Sequence, residues 1–184
     1  MGVPCFLGGM SRGLLGARSP LQMRQRRRDA LKEADVILLA GAVCDFRLSY
    51  GRGLNSKAKV IAVNRDKVQM LKNSDMFWKP TVAAVGDVGS FLKDLSGLMD
   101  TSYSCPQDWI DLLRERDVEK EEKNKKMSED ILEQHLNPLK VFMDLEEKLP
   151  ENAILVADGG DFVGTASYIL RFLVFSYRPF GAYA

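Results

Sequence analysis

The hydrophobic positions of this chain fall into short unbroken runs separated by amphipathic stretches. Val3 to Leu7 is an apolar run closing on Gly8 and Gly9, and the residues from there to Glu33 alternate apolar and basic positions at helical spacing. A strand, a loop and a helix are predicted. Ala34 to Cys44, Ala58 to Asn64 and Thr81 to Val88 are continuous apolar runs, the pattern of parallel strands covered on both faces by helices. Behind the second, RDKVQMLKN has a helical pattern; behind the third, Phe91, Leu92, Leu95 and Leu98 form one buried stripe of a helix. This alternation predicts an α/β fold with a doubly wound parallel sheet over residues 1–100. Ligands in such sheets sit at strand carboxyl ends, which points to the loops after Leu7, Ala40 and Val63.

Between Thr101 and residue 136 the character changes. SYSCPQDW is rich in turn formers, and RERDVEKEEKNKKMSED holds six basic and seven acidic residues, with only Val118 and Met127 apolar. Mixed charge of this kind predicts an exposed helix or linker and marks a domain boundary. After it, Leu139, Val141, Phe142 and Leu145 share a helix face, and Ala153 to Ala157 reads as a strand. A second α/β domain is expected to begin there, over 137–171, with a tail at 172–184.

Composition adds limits. A net charge of +1 supplies no global field for nucleic acid. The local run Arg24, Arg26, Arg27 and Arg28 lacks interleaved aromatic residues and is expected to be a solvated helix face. Cys5, Cys44 and Cys105 are too far apart for a zinc motif and are read as buried or idle thiols. His135, the only histidine, is expected on a helix surface and is assigned no catalytic role. The amino-terminal residues match neither a signal peptide nor the myristoylation pattern. Neither apolar run, at Val36 to Cys44 or Ile169 to Phe175, approaches the roughly 20 residues of a membrane helix, so no span is expected in this segment.

Nucleotide-binding motifs are largely missing. Gly8, Gly9 and Gly13 do not have the spacing of a dinucleotide loop, Asn64 stands where an acidic residue would hold a ribose, and no P-loop occurs. One loop has the chemistry to hold an anion. In DGGD, Asp158 to Asp161, an apolar strand ends, two glycines let a ligand approach the backbone, and a helix then presents free N–H groups. The same spacing is equally compatible with a tight strand-to-helix turn capped by Asp161. Asp87 in GDV is open to the same simple capping role.

Several unlike motifs agree on a family. FLGGMSRGLLG, ADVILLAGAVCDFRLSYG, KVIAVN, VGDV and HLNPLKVFMDLEEKLPENAILVADGGDFVGTAS resemble, in order and spacing, thiamine-diphosphate-dependent enzymes of the acetolactate synthase, oxalyl-CoA decarboxylase and 2-hydroxyacyl-CoA lyase group. The likeness is greatest to the acetolactate synthase-like 2-hydroxyacyl-CoA lyase branch and extends from Gly2 to about Arg171. It implies the family's middle domain, clipped at its amino end, followed by the truncated start of the diphosphate-binding domain. FLVFSYRPFGAYA lies outside it, with no visible partners for its apolar residues.

What the resemblance implies for chemistry is specific. Members carry thiamine diphosphate and Mg2+, and lyases of this branch cleave a 2-hydroxyacyl-CoA to an aldehyde and formyl-CoA, a step of fatty acid alpha-oxidation. Gly159, Gly160, Asp161 and Phe162 match the loop that touches the cofactor diphosphate. The residues matching the family's catalytic glutamate and GDG…N metal motif are not in these 184 residues, and Gly86 to Gly89 occupies a middle-domain position. Hence no catalytic residue and no metal ligand is assigned, and the chain alone is expected to be inactive. Some relatives bind FAD or ADP in the middle domain. Arg12 and Arg47 match basic residues of their MAKG and FDDR motifs, whereas Val43 and Asn64 depart from the pattern and count against a nucleotide. The resemblance further implies homo-oligomers and a peroxisomal or endoplasmic reticulum location. Other functions left open are a non-catalytic module that pairs with full-length subunits, a fragment of an acetolactate synthase-type carboligase, and a stand-alone nucleotide-binding protein.

Overall fold

A computed structural model of the protein describes residues 2–16, 18–150, 153, 155–157, 160–170 and 174–176. In chain order the elements are β1 (Cys5–Phe6), β2 (Gln22–Met23), α1 (Arg27–Glu33), β3 (Val36–Ala40), β4 (Lys59–Asn64), α2 (Lys67–Met70), β5 (Val82–Val85) and α3 (Val88–Leu98). They continue with α4 (Gln107–Ser128), α5 (Pro138–Lys148), β6 (Leu155–Ala157), α6 (Asp161–Ile169) and β7 (Val174–Ser176). The chain divides into two compact units, one formed by residues 27–104 and the other by 2–26 together with the residues from 105 onward. Among the described residues every strand pair is parallel, as expected of an α/β architecture.

In the first unit the sheet has the order β3-β4-β5, with Ile37 opposite Val60 and Ile61 opposite Val82. Ile37, Leu39, Val60 and Ala62 turn into one core with Met70 and Trp78. The continuous apolar runs predict burial on both faces, but β3 alternates: Ile37 and Leu39 are buried while Val36 is 55% exposed. No residue of α3 is fully buried, and Val82 and Val85 of β5 are both exposed. The reason lies in position, since among the described residues β5 is the edge strand, with β4 as its single strand neighbour.

The second unit departs further from the sequence pattern. The first strand does not extend the three-stranded sheet; β1 pairs with β2, a segment whose periodicity predicts helix. Pro20 and the left-handed backbone of Arg26, φ +51°, confine the helix to α1. The charged stretch forms helix α4, whose inward stripe is Ile110, Leu113, Asp117, Glu121, Asn124 and Ser128 at spacings of three and four. Val118 and Met127, its only apolar residues beyond the first turns, face out at 55% and 41% exposure. Asn137 makes the corner. Its Nδ2 donates to the carbonyls of Met127 (2.7 Å) and Asp130 (3.2 Å), and its Oδ1 accepts from the Leu139 N–H (3.0 Å), closing α4 and opening α5. His135 lies exposed in the bend before this corner, not on a helix. Phe142 of α5 packs with Ala166 of α6 and with Leu170, which caps that helix. In the 172–184 tail, residues 174–176 do have a backbone partner, pairing with β6.

Candidate functional site

Three residues beyond the end of β6, Gly160 has a backbone that only glycine adopts comfortably. Gly160 has φ +113° and ψ −175° and caps α6, so no side chain occupies the cap position. A Cβ built on Gly160 would meet nothing within 4 Å, which leaves the turn open on that side. The first amide of α6 bonded back into the helix is that of Gly164, to the Gly160 carbonyl at 3.3 Å. The N–H groups of Asp161, Phe162 and Val163 precede it and are free of intrahelical partners, the arrangement that receives a phosphate oxygen. Asp161 is the first helical residue and not the cap that the turn-only alternative requires. Phe162 is 62% exposed, its ring set edge-on to Phe142 at 5.3 Å and 62°. Gly159 lies outside the described residues, as does the side chain of Asp161.

The carboxyl end of α6 is held by the arginine-rich segment near the amino terminus. Arg24 Nη2 donates to the carbonyls of Tyr168, Ile169 and Leu170, each at 3.0 Å, and Gln25 Nε2 donates to Tyr168 at 3.1 Å. The backbone N–H groups of Arg24 and Gln25 in turn donate to Asp117 at 2.9 and 2.8 Å. Arg24 is therefore no solvated arginine: its side chain is 13% exposed. Burial raises the Asp117 carboxyl above the ordinary range despite those two amides, with Glu121 adding to the rise and Arg24 opposing it.

At the carboxyl ends of β3, β4 and β5 the polar groups satisfy one another. Gly41 turns with φ +69°, donates to the Val63 carbonyl at 2.8 Å, and receives a 3.5 Å bond from Asn64 Nδ2. Asp87 caps α3 by accepting from the Ser90 N–H at 2.8 Å and pairs with Arg65. Its carboxyl is held down at about 2 by the Ser90 amide first, then by Arg65 and the Ser90 hydroxyl. Arg47, in the 3-10 segment Phe46–Gly51, grips Asp45 through Nε at 3.1 and 3.0 Å and Nη2 at 2.5 Å. Burial works to raise the Asp45 carboxyl, but the bonds and charge of Arg47, with Lys72, hold it below the usual range. A nucleotide phosphate at Arg47 would have to displace this carboxylate. Arg12, in the second unit, ends the 3-10 turn Gly9–Ser11, its N–H donating to the Gly9 carbonyl at 3.3 Å. Among the described residues no three His, Cys, Asp or Glu side chains group to hold a metal, and no helix is long and apolar enough to cross a membrane.

Parallel sheets with flanking helices define an α/β protein. Residues 1–95 match the thiamine pyrophosphate enzyme central domain, more than half of the 184-residue chain, and the chain belongs to that family. It is 62% identical over 171 residues to 2-hydroxyacyl-CoA lyase 2 of Danio rerio and 55% identical over 172 residues to that of Homo sapiens, in each case 93% of this chain and 27% of the relative. It is also 32% identical over 182 residues to a probable acetolactate synthase of Mycobacterium bovis, 96% of this chain and 30% of that protein. The chain thus spans about a quarter of the length of the curated relatives it matches.

Proposed function

We propose that this chain carries the central domain and the opening of the diphosphate-binding domain of a thiamine-diphosphate-dependent lyase that cleaves 2-hydroxyacyl-CoA to an aldehyde and formyl-CoA. The observation that supports it is the open Gly160 turn at the head of α6, in a chain so similar to proteins named for that activity. Thiamine diphosphate, when bound, supplies the electron sink for cleavage of the carbon–carbon bond beside the carbonyl carbon. The part of this chain is to hold it. The Gly160 turn lets the diphosphate approach the backbone, and the N–H groups of Asp161, Phe162 and Val163 donate to its oxygens with the positive end of the helix dipole behind them. Phe162, the second residue of the helix, is braced on Phe142. No described residue is proposed as a ligand for magnesium or as the acid or base, so turnover requires groups beyond these. The likeness to an acetolactate synthase supports carboligation as the second reading.

The decisive test transplants the segment. Residues 1–171 replace their counterpart in the Danio rerio lyase, and the chimera is assayed with 2-hydroxyacyl-CoA and thiamine diphosphate. Formyl-CoA and the shortened aldehyde are expected. A folded, cofactor-loaded chimera that makes neither overturns the proposal, and one that joins two 2-oxo acids instead selects the carboligase reading.

A further inference from the structure

We infer that Arg24, held by Asp117, is a positioning residue for the diphosphate-binding helix: it anchors the carboxyl end of α6 and so aims the Gly160 turn at the other end. This rests on the proposed function of that turn. The carbonyls of a helix's last turn have no intrahelical donors, and a cation there complements the helix dipole. Arg24 meets both demands with one guanidinium nitrogen, which reaches three consecutive carbonyls at 3.0 Å. The guanidinium is not free to wander. Asp117 accepts from the backbone N–H groups of both Arg24 and Gln25, Glu121 lies 3.6 Å from Nη1, and the buried Gln25 side chain adds a fourth bond to the same helix end.

Geometry explains why a distant anchor matters. Nine residues of α6 place the Gly160 end about 13 Å from the Arg24 end at 1.5 Å per residue. A tilt of roughly 10° about the anchored end then moves the amino-terminal N–H groups by about 2 Å. Donor–acceptor distances in good N–H···O bonds vary over only ~0.5 Å, so such a tilt breaks the diphosphate contacts while leaving the helix intact. Lysine at position 24 keeps the charge but not the planar fork, and glutamine keeps one donor group without the charge.

The test uses the whole 15N-labelled chain, titrated with inorganic pyrophosphate and with thiamine diphosphate, and compares wild type with Arg24→Gln, Arg24→Lys and Asp117→Asn. Wild type is expected to show amide shifts at Gly160 to Val163. In Arg24→Gln the affinity read from those shifts falls about tenfold, the scale of a lost charge-assisted bond. Its α6 amides exchange faster while those of α5 keep their protection, and Arg24→Lys recovers part of both losses. Asp117→Asn, which retains one acceptor oxygen, is expected to fall between them and decides the matter if Arg24→Gln does not fold. A purely structural role would lower stability yet leave the affinity of the folded fraction unchanged. That result, or wild-type affinity and α6 protection in Arg24→Gln, overturns the inference with the diphosphate reading intact. If wild type itself shows no shift at Gly160 to Val163, the diphosphate reading falls and the positioning role with it.

Discussion

Gly51 is the position where a single methyl group should do the most damage. It is buried, has φ +92°, and a Cβ placed on it would lie 2.2 Å from Cδ1 and 2.8 Å from Cγ of Trp78. The indole has little room to retreat: it is 6% exposed within the core that holds Ile37, Leu39 and Val60, and its Nε1–H donates to the Lys72 carbonyl at 3.3 Å. Two costs therefore combine in Gly51→Ala. The left-handed backbone costs an L residue about 1 kcal/mol, and overpacking a filled core costs about 2 kcal/mol, for a total of about 3 kcal/mol. That is roughly a hundredfold shift toward the unfolded state and a large share of a typical domain's 5–15 kcal/mol. Urea unfolding followed by far-ultraviolet circular dichroism, and by Trp78 fluorescence in a Trp109→Phe background, measures it. Gly53→Ala is the control, because two residues away an added Cβ meets only the Leu48 carbonyl at an ordinary 3.8 Å; it should change stability by no more than about 0.5 kcal/mol. A Gly51→Ala protein as stable as wild type, or no less stable than Gly53→Ala, would falsify the packing described around Trp78.

Four further outcomes are expected. Cys44, 1% exposed, has its thiol pushed up to about 12 by burial and then by Asp45, so mass spectrometry after alkylation at pH 8 should find it unmodified in the native chain and modified in urea. Because its folded pKa lies above the unfolded value of about 8.5, stability should fall as pH rises past that point, a loss that Cys44→Ala removes. The Asp87 carboxyl is depressed, so its favourable contribution is complete above about pH 4 and is lost as pH falls toward 2. Carboxyl NMR should place its midpoint near 2 and see it rise in Arg65→Met; a wild-type midpoint at the ordinary value would contradict the cap and the ion pair. Asn137→Ala removes one cap acceptor and two donated bonds and should cost the second unit about 1–2 kcal/mol in urea unfolding, with Asn137→Asp losing less because it still caps α5. Equal losses in the two variants would show that the α5 cap contributes nothing.

By itself the sequence determined what depends on neighbours along the chain. The runs at 34–44, 58–64 and 81–88 contain β3, β4 and β5, and the stripe Phe91–Leu92–Leu95–Leu98 lies within α3, because apolar periodicity is a local property. The start of α6 behind a glycine was legible for the same reason, since glycine suits the backbone that Gly160 adopts. The family was legible too, through the order of several motifs along the chain. Tertiary structure decided the partners of polar groups. Nothing in RERDVEKEEKNKKMSED distinguishes Asp117 from its neighbours; it differs because the backbone of Arg24 and Gln25, more than ninety residues away, turns two N–H groups toward it. Likewise Arg24 looks like the other arginines of its run until α6 brings three unsatisfied carbonyls to it across more than 140 residues. Hydrophobic burial can be read from spacing because any apolar surface will serve as a partner. A charged or polar side chain needs a particular group at a particular distance and angle, and only the folded chain brings the two together.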